Sequence, residues 1–181
     1  MSEHRSSGSG VTTEVLVALG SNLGDRMAHL RQGVEALAEV MTITDVSSVV
    51  ESRAQGLPEG DEAPDFLNAV VRGRTDLGPG ELLEVCHGAE ADAGRPRNRP
   101  TESRTLDLDL LFYGDRVSRG SGVRLPHPRW KERGFVLRPL LEVAPEWVDP
   151  VTGESVRSIC NRRARLLSGV RVVGSGSDLR A

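Results

Sequence analysis

Apolar and polar positions along the chain follow two rhythms, and the changes between them mark out the elements. Residues 14–19 (EVLVAL) form a mostly apolar run that stops at Gly20, as a buried strand does. Ser21-Asn22-Leu23-Gly24-Asp25 reads as a tight structural turn, with Asp25 placed to cap the next element. Met27, Leu30, Val34, Leu37 and then Ala38 or Met41 recur at helical spacing and predict an amphipathic helix over 26–40. Residues 42–50 are β-branched and alternating, a second strand. Residues 51–65 hold two Gly, two Pro and several acids, a long loop of the kind that often carries function. A third strand is predicted over 66–74 (FLNAVVRGR). Gly78-Pro79 then opens a helix reaching 93, with Leu82, Leu83, Val85, Cys86 and Ala89 as its apolar stripe and Gly94 closing it. An Arg-rich loop over 95–105 leads into a fourth strand over 105–113, a turn over 126–133 and a short helix over 135–143. The small, polar residues 1–12 predict a disordered leader, and the Gly/Ser-containing stretch 166–181, which has no period, a flexible tail. The folded domain is expected over 13–165.

Strand, helix, strand, strand, helix, strand is the order of a split βαβ unit. It predicts an α+β, ferredoxin-like sandwich: an antiparallel sheet with helices on one face, the other face left for a site. Composition agrees with one soluble domain. The chain has 181 residues, 38% hydrophobic, with 20 Gly. A net charge of −3 and a pI near 5.8 argue against a general binder of nucleic acid or anionic membrane. No apolar run approaches the ~18 residues of a membrane span, and Cys86 and Cys160 suggest no disulfide framework. The expectation is a cytoplasmic protein, acting as a monomer. One composition feature is lopsided: of 23 basic residues only Lys131 is lysine. A GC-rich genome would produce that excess of arginine, and so would a need for bidentate anion contacts. Position separates the two.

The most informative stretch is Thr105-Leu106-Asp107-Leu108-Asp109-Leu110-Leu111. In a strand the leucines face one way and Asp107 and Asp109 the other, their backbones about 7 Å apart. Such a pair is either a solvated polar face or a holder of a hard cation, and Mg²⁺ favours one or two carboxylates with water and phosphate. Just upstream stand Arg95, Arg97, Arg99 and Arg104. Four like charges in one loop repel unless an anion joins them, so loop and strand together favour a triphosphate site. His127, between Pro126 and Pro128, is held in a stiff turn suited to a phosphate or ribose contact, with Arg129 and Arg133 just beyond it. Phe66 and Asn68 share one face at a strand start. They offer a stacking plane and an amide for a flat heterocycle, or else a core Phe and a capped strand end.

These motifs together, ALGSNLGD (18–25), PDFLNAVV (64–71), GRPR (94–97), SRTLDLDLLFYG (103–114) and LPHPRWKERGFVLRPLLEVAP (125–145), resemble the 6-hydroxymethyl-7,8-dihydropterin pyrophosphokinase family of folate biosynthesis. The resemblance implies transfer of pyrophosphate from ATP to the pterin hydroxymethyl group, with release of AMP and with two Mg²⁺ ions held by Asp107 and Asp109. It implies that Arg95 and Arg104 engage the triphosphate in the transition state, and that His87, Glu90, Arg97, Arg99, His127 and Arg133 contact ATP. It assigns Phe66, Asn68 and Phe135 to the pterin pocket, with Gly56 in the pterin loop Ser52-Arg53-Ala54-Gln55-Gly56. Two departures stand out: Thr101-Glu102-Ser103 replaces the family's usual Trp-Gly-Pro, and the pterin loop lacks its proline. A diverged paralogue acting on a related pterin-like alcohol, or a catalytically weak binding homologue, are the alternatives.

Overall fold

A computed structural model describes residues 12–53, 64–94, 105–120 and 122–180. The leader through residue 11 and the loop positions 54–63 and 95–104 lie outside the described residues.

The run EVLVAL sits in β1 (Thr13–Ser21), buried on both faces from Val15 onward. β1 pairs antiparallel with β4 (Phe66–Thr75) along its whole length, from Thr13 opposite Thr75 to Ser21 opposite Leu67. Its other edge pairs with β5 (Asp107–Tyr113), also antiparallel. β2 (Thr42–Val46), β3 (Val49–Ser52) and β6 (Arg171–Gly174) complete a sheet of order β5-β1-β4-β3-β6, with β2 also on β4.

Helix starts obey their sequence signals. Asp25 accepts a hydrogen bond from the Ala28 amide at 3.0 Å and caps α1 (Arg26–Ala38). Pro79 occupies the first turn of α2 (Pro79–Asp92), where the Glu81 carboxylate accepts the Gly78 amide at 2.7 Å. Because β1 is central, its two faces seed two cores. Val15, Val17 and Leu19 pack with Leu30, Val34 and Leu37 of α1 and Leu82, Cys86 and Ala89 of α2. Leu16 and Ala18, with Val70 of β4, pack under Leu137 and Leu140 of α3 (Gly134–Val143) and Ile159 of α4 (Val156–Arg162). Each fully buried leucine contributes about 2 kcal/mol.

The α+β, ferredoxin-like sandwich is borne out, with α1 and α2 on one face. The second face is not left bare as expected: α3 and α4 cover its middle. Among the described residues, the end around Gly20, with half-buried Phe66, Asp107 and Asp109, is left for a site.

Two further details differ from the sequence reading. The strand predicted over 42–50 is two strands broken at Ser47-Ser48. There the buried Ser47 hydroxyl oxygen accepts the Val70 amide at 2.9 Å, and the Ser47 amide donates to the Val70 carbonyl. The side chain replaces a ladder contact, so the break costs no unpaired donor. The tail expected to be flexible is structured through residue 180. It holds α5 (Ala164–Leu167), β6, and a 3-10 turn at Gly176–Leu179 that buries Leu179. Elements this short leave no period to read. The tail's glycines serve close approach instead: a Cβ on Gly176 would lie 2.1 Å from the Val46 carbonyl oxygen.

Candidate active site

β5 delivers its carboxylates as the alternation requires. Leu106, Leu108 and Leu110 enter the α1/α2 core, and Asp107 and Asp109 point to the other face, half-buried. One residue further the register slips. Leu16 faces Phe112 while Val17 faces Leu110, so Leu111 is extra and both Leu111 and Phe112 enter the second core. The strand is braced from behind by Glu90. Its carboxylate, 4% exposed, accepts the Leu108 amide at 2.8 Å, between the two aspartates. His87, three residues earlier on α2, is exposed.

The turn carrying His127 is moored by Trp130, 2% exposed and edge-on to Phe112 with centroids 5.0 Å apart. The His127 amide donates to the Leu111 carbonyl at 2.9 Å. Its Nδ1 accepts the Arg129 amide at 3.2 Å, which places the ring proton on Nε2, 3.7 Å from Asp109 Oδ2. Burial pushes the His127 pKa below the ordinary histidine value; Asp109 opposes this and Arg133 adds to it. The ring is therefore neutral at pH 7. Arg133 Nη1 donates to the same Asp109 oxygen at 3.0 Å, and its guanidinium lies 5.7 Å from the Phe135 ring centroid. The structure thus gathers Asp109, His127, Arg133 and Phe135 into one cluster, with Asp107 one strand step away.

Across the sheet runs a row set by register alone. Asn68 of β4 and Asp107 of β5 both face Gly20 of β1, so their backbones stand two strand spacings, about 10 Å, apart. Gly20 keeps a side chain out of the middle of the row. A Cβ there would lie 3.3 Å from Asn68 Oδ1, 3.8 Å from Phe66 Cδ1 and 4.0 Å from the Asp107 Cβ. The Asn68 amide nitrogen donates to Ser52 Oγ at 3.1 Å. Sequence reasoning missed Gly20, read there as the stop of the first strand, and Ser52 as the partner of Asn68. The available signal was that Gly20 continues the even positions of β1 beyond Leu16 and Ala18. Gly56, Arg95, Arg97, Arg99 and Arg104 lie outside the described residues.

The donor set suits a hard cation. Two carboxylates share a face, and neither cysteine is near the surface there. Among the described residues no group of three or more His, Cys, Asp and Glu gathers. The aspartates would therefore hold Mg²⁺ only with water and substrate phosphate completing its shell.

Residues 16–145 match the model of the family described as 7,8-dihydro-6-hydroxymethylpterin-pyrophosphokinase, HPPK. The chain belongs to the HPPK family. HPPK enzymes are ATP-dependent diphosphotransferases by class, and this chain is one of them. It is similar to the 2-amino-4-hydroxy-6-hydroxymethyldihydropteridine pyrophosphokinase of a Synechocystis species, 41% identical over 143 residues, 78% of this chain and 71% of the relative. The Bacillus subtilis protein of the same name is 40% identical over 132 residues, 72% of this chain and 77% of that one. Among solved structures, an HPPK-DHPS chain of Plasmodium falciparum crystallised with pteroate matches with a TM-score of 0.69 at 13% identity. That match covers 92% of this chain but 47% of the other. The present chain thus spans about half of that longer chain, and the likeness concerns the fold. The family resemblance read from RTLDLDLL and PHPR is borne out.

Proposed function

We propose that the protein transfers pyrophosphate from MgATP to 6-hydroxymethyl-7,8-dihydropterin, releasing AMP, in folate biosynthesis. The observation that carries this reading is the row Asn68–Gly20–Asp107, which sets a heterocycle-reading amide and a cation-holding carboxylate on one face of the sheet. Phe66 and Phe135 supply apolar walls for the pterin, and Asn68 reads its polar edge. The pterin hydroxyl attacks the β-phosphorus in line. The bond from that phosphorus to the α,β-bridging oxygen breaks, AMP departs, and the hydroxyl proton passes to solvent. Bound at Asp107 and Asp109, two Mg²⁺ ions would neutralise phosphate charge and align the attacking and leaving oxygens. Arg133 holds Asp109 in place, and Arg133 and His127 line the phosphate end. Arg95 and Arg104 are assigned to the triphosphate, His87, Arg97 and Arg99 to ATP and Gly56 to the pterin loop, on the family resemblance. Glu90, placed there by the same resemblance, supports the aspartate strand through Leu108. Positioning and charge neutralisation suffice for phosphoryl-type transfer, so no strong general base is needed. The monomeric, cytoplasmic state expected from the sequence belongs to the same proposal; no helix among the described residues is long and apolar enough to cross a membrane.

The test is AMP release from MgATP with the pterin. Asp107→Ala should abolish it while thermal unfolding stays near wild type. Wild-type turnover in that variant would sink the assignment. AMP formed only with a related pterin-like alcohol would instead identify a diverged paralogue.

A further inference from the structure

Residues 146–180 lie C-terminal to the span matched by the family model, yet their last strand reaches back to the pterin side of the sheet. β6 occupies the edge of β3 that β4 does not use, with Val50 opposite Val172 and Glu51 opposite Arg171. Besides β6, the sheet gives β3 one other partner strand, β4. Its ladder to β4 consists of Val50–Asn68, Glu51–Leu67 and Ser52–Phe66, and so short a pairing is marginal on one partner.

Alternation puts Ser52, Phe66 and Asn68 on the substrate face and Glu51 on the opposite one, where Leu67 joins the α1 core. On that opposite face the Glu51 carboxylate is gripped from two sides. Oε1 accepts from Arg26 Nη1 at 3.2 Å, and Oε2 accepts from the Arg171 guanidinium. The same Arg26 nitrogen donates to the Asp65 carbonyl at 2.7 Å. Arg26 therefore ties position 51 to position 65, on either side of residues 54–63, and Arg171 ties both to the C-terminal strand. The arginine contacts, that of Arg171 foremost, outweigh the opposing effect of burial and hold the Glu51 carboxyl below the usual carboxylate range.

We infer that Arg171, Glu51 and Arg26 form a positioning clasp that sets the pterin face from behind, keeping Ser52 in the register in which its hydroxyl orients the Asn68 amide. The inference rests on the pterin pyrophosphokinase reading. It adds that pterin affinity depends on a strand 120 residues away in sequence. Asp107 and Asp109 lie two strands beyond Asn68, so ATP binding is outside the reach of the clasp.

The test is steady-state AMP release by the full-length protein, with KM measured separately for ATP and for the pterin in wild type, Arg171→Ala, Arg171→Lys and Glu51→Ala. The Arg171 side chain is 76% exposed and Glu51's is 16% exposed. A half-exposed pair of this kind should give a rise in pterin KM of about threefold in Arg171→Ala and about tenfold in Glu51→Ala. KM for ATP and kcat should stay within twofold, and Arg171→Lys should recover most of the loss. An unchanged pterin KM in Arg171→Ala, or an equal rise in both KM values, overturns the clasp. If Glu51→Ala does not fold, the Arg171 pair alone decides. Failure of the wild-type protein to release AMP would instead refute the underlying reading, which separates the two failures.

Discussion

Replacing Glu90 with alanine probes the brace behind the aspartate strand. β5 is an edge strand, and the Leu108 amide, between Asp107 and Asp109, donates inward to the Glu90 carboxylate at 2.8 Å. Both residues are nearly inaccessible, 3% and 4% exposed, so water cannot replace the lost acceptor. A buried donor left unpaired costs about 1–3 kcal/mol, with the upper half appropriate because the acceptor is charged. For a chain of this size each kcal/mol lowers Tm by about 2–4 °C, which gives a fall of roughly 4–12 °C. Glu90→Gln keeps an oxygen acceptor and should lose less than half as much. Turnover should track the geometry. With the aspartates no longer held in place, kcat falls more than about tenfold, the scale on which misplacements of about an ångström act. Calorimetry or dye-based melting, together with AMP release, reads both effects. A Glu90→Ala protein melting within about 1 °C of wild type, with unchanged kcat, would refute the bracing role.

Two further predictions concern different parts of the molecule. Gly20→Ala places a Cβ 3.3 Å from Oδ1 of the buried Asn68; KM for the pterin should rise at least about fivefold while Tm moves by no more than about 4 °C, since the gain from removing a strand glycine offsets the displacement of Asn68. An unchanged pterin KM would show that the ring does not lie over Gly20. Lys131, the only lysine, pairs with Asp149, which is 1% exposed and hydrogen-bonded to Thr152 and the Val151 amide. Burial alone would push the Asp149 carboxyl up, but Lys131, Thr152 and Val151 outweigh it and hold its pKa low. A lowered folded pKa gives stability that is full above the ordinary carboxyl value of 3.8 and lost as pH falls through the folded value. Lys131→Met should therefore cost roughly 2 kcal/mol at pH 7 and flatten the acid-side slope, as read from urea midpoints between about pH 5 and 2. A slope equal to wild type would refute the pairing.

Much of the fold was legible because its causes are local. The apolar run of β1, the helical spacing of Leu30, Val34 and Leu37, the Asp25 cap and the Gly78-Pro79 start all act within a turn or two of chain. The break at Ser47 was not legible, because it depends on Val70 offering its amide to a serine hydroxyl. Nor was the structured tail. A four-residue strand with exposed Val172 and Val173 has no period, and only the free edge of β3 gives it a place.

The candidate site divides in the same way. The sequence alone determined that Asp107 and Asp109 share a face, since side chains alternate along any strand, and it marked the Phe66–Asn68 pair and the His127 turn by composition and spacing. Only the tertiary structure decided that Arg133 and His127 both close on Asp109, that Glu90 turns inward to Leu108, and that Gly20 aligns Asn68 with Asp107. The hydrogen bonds among them join residues 18 and 24 positions apart, and Arg171 meets Glu51 across 120. Strand register and packing create such meetings. No local propensity encodes them, because each partner is equally content with water until the sheet brings the two together.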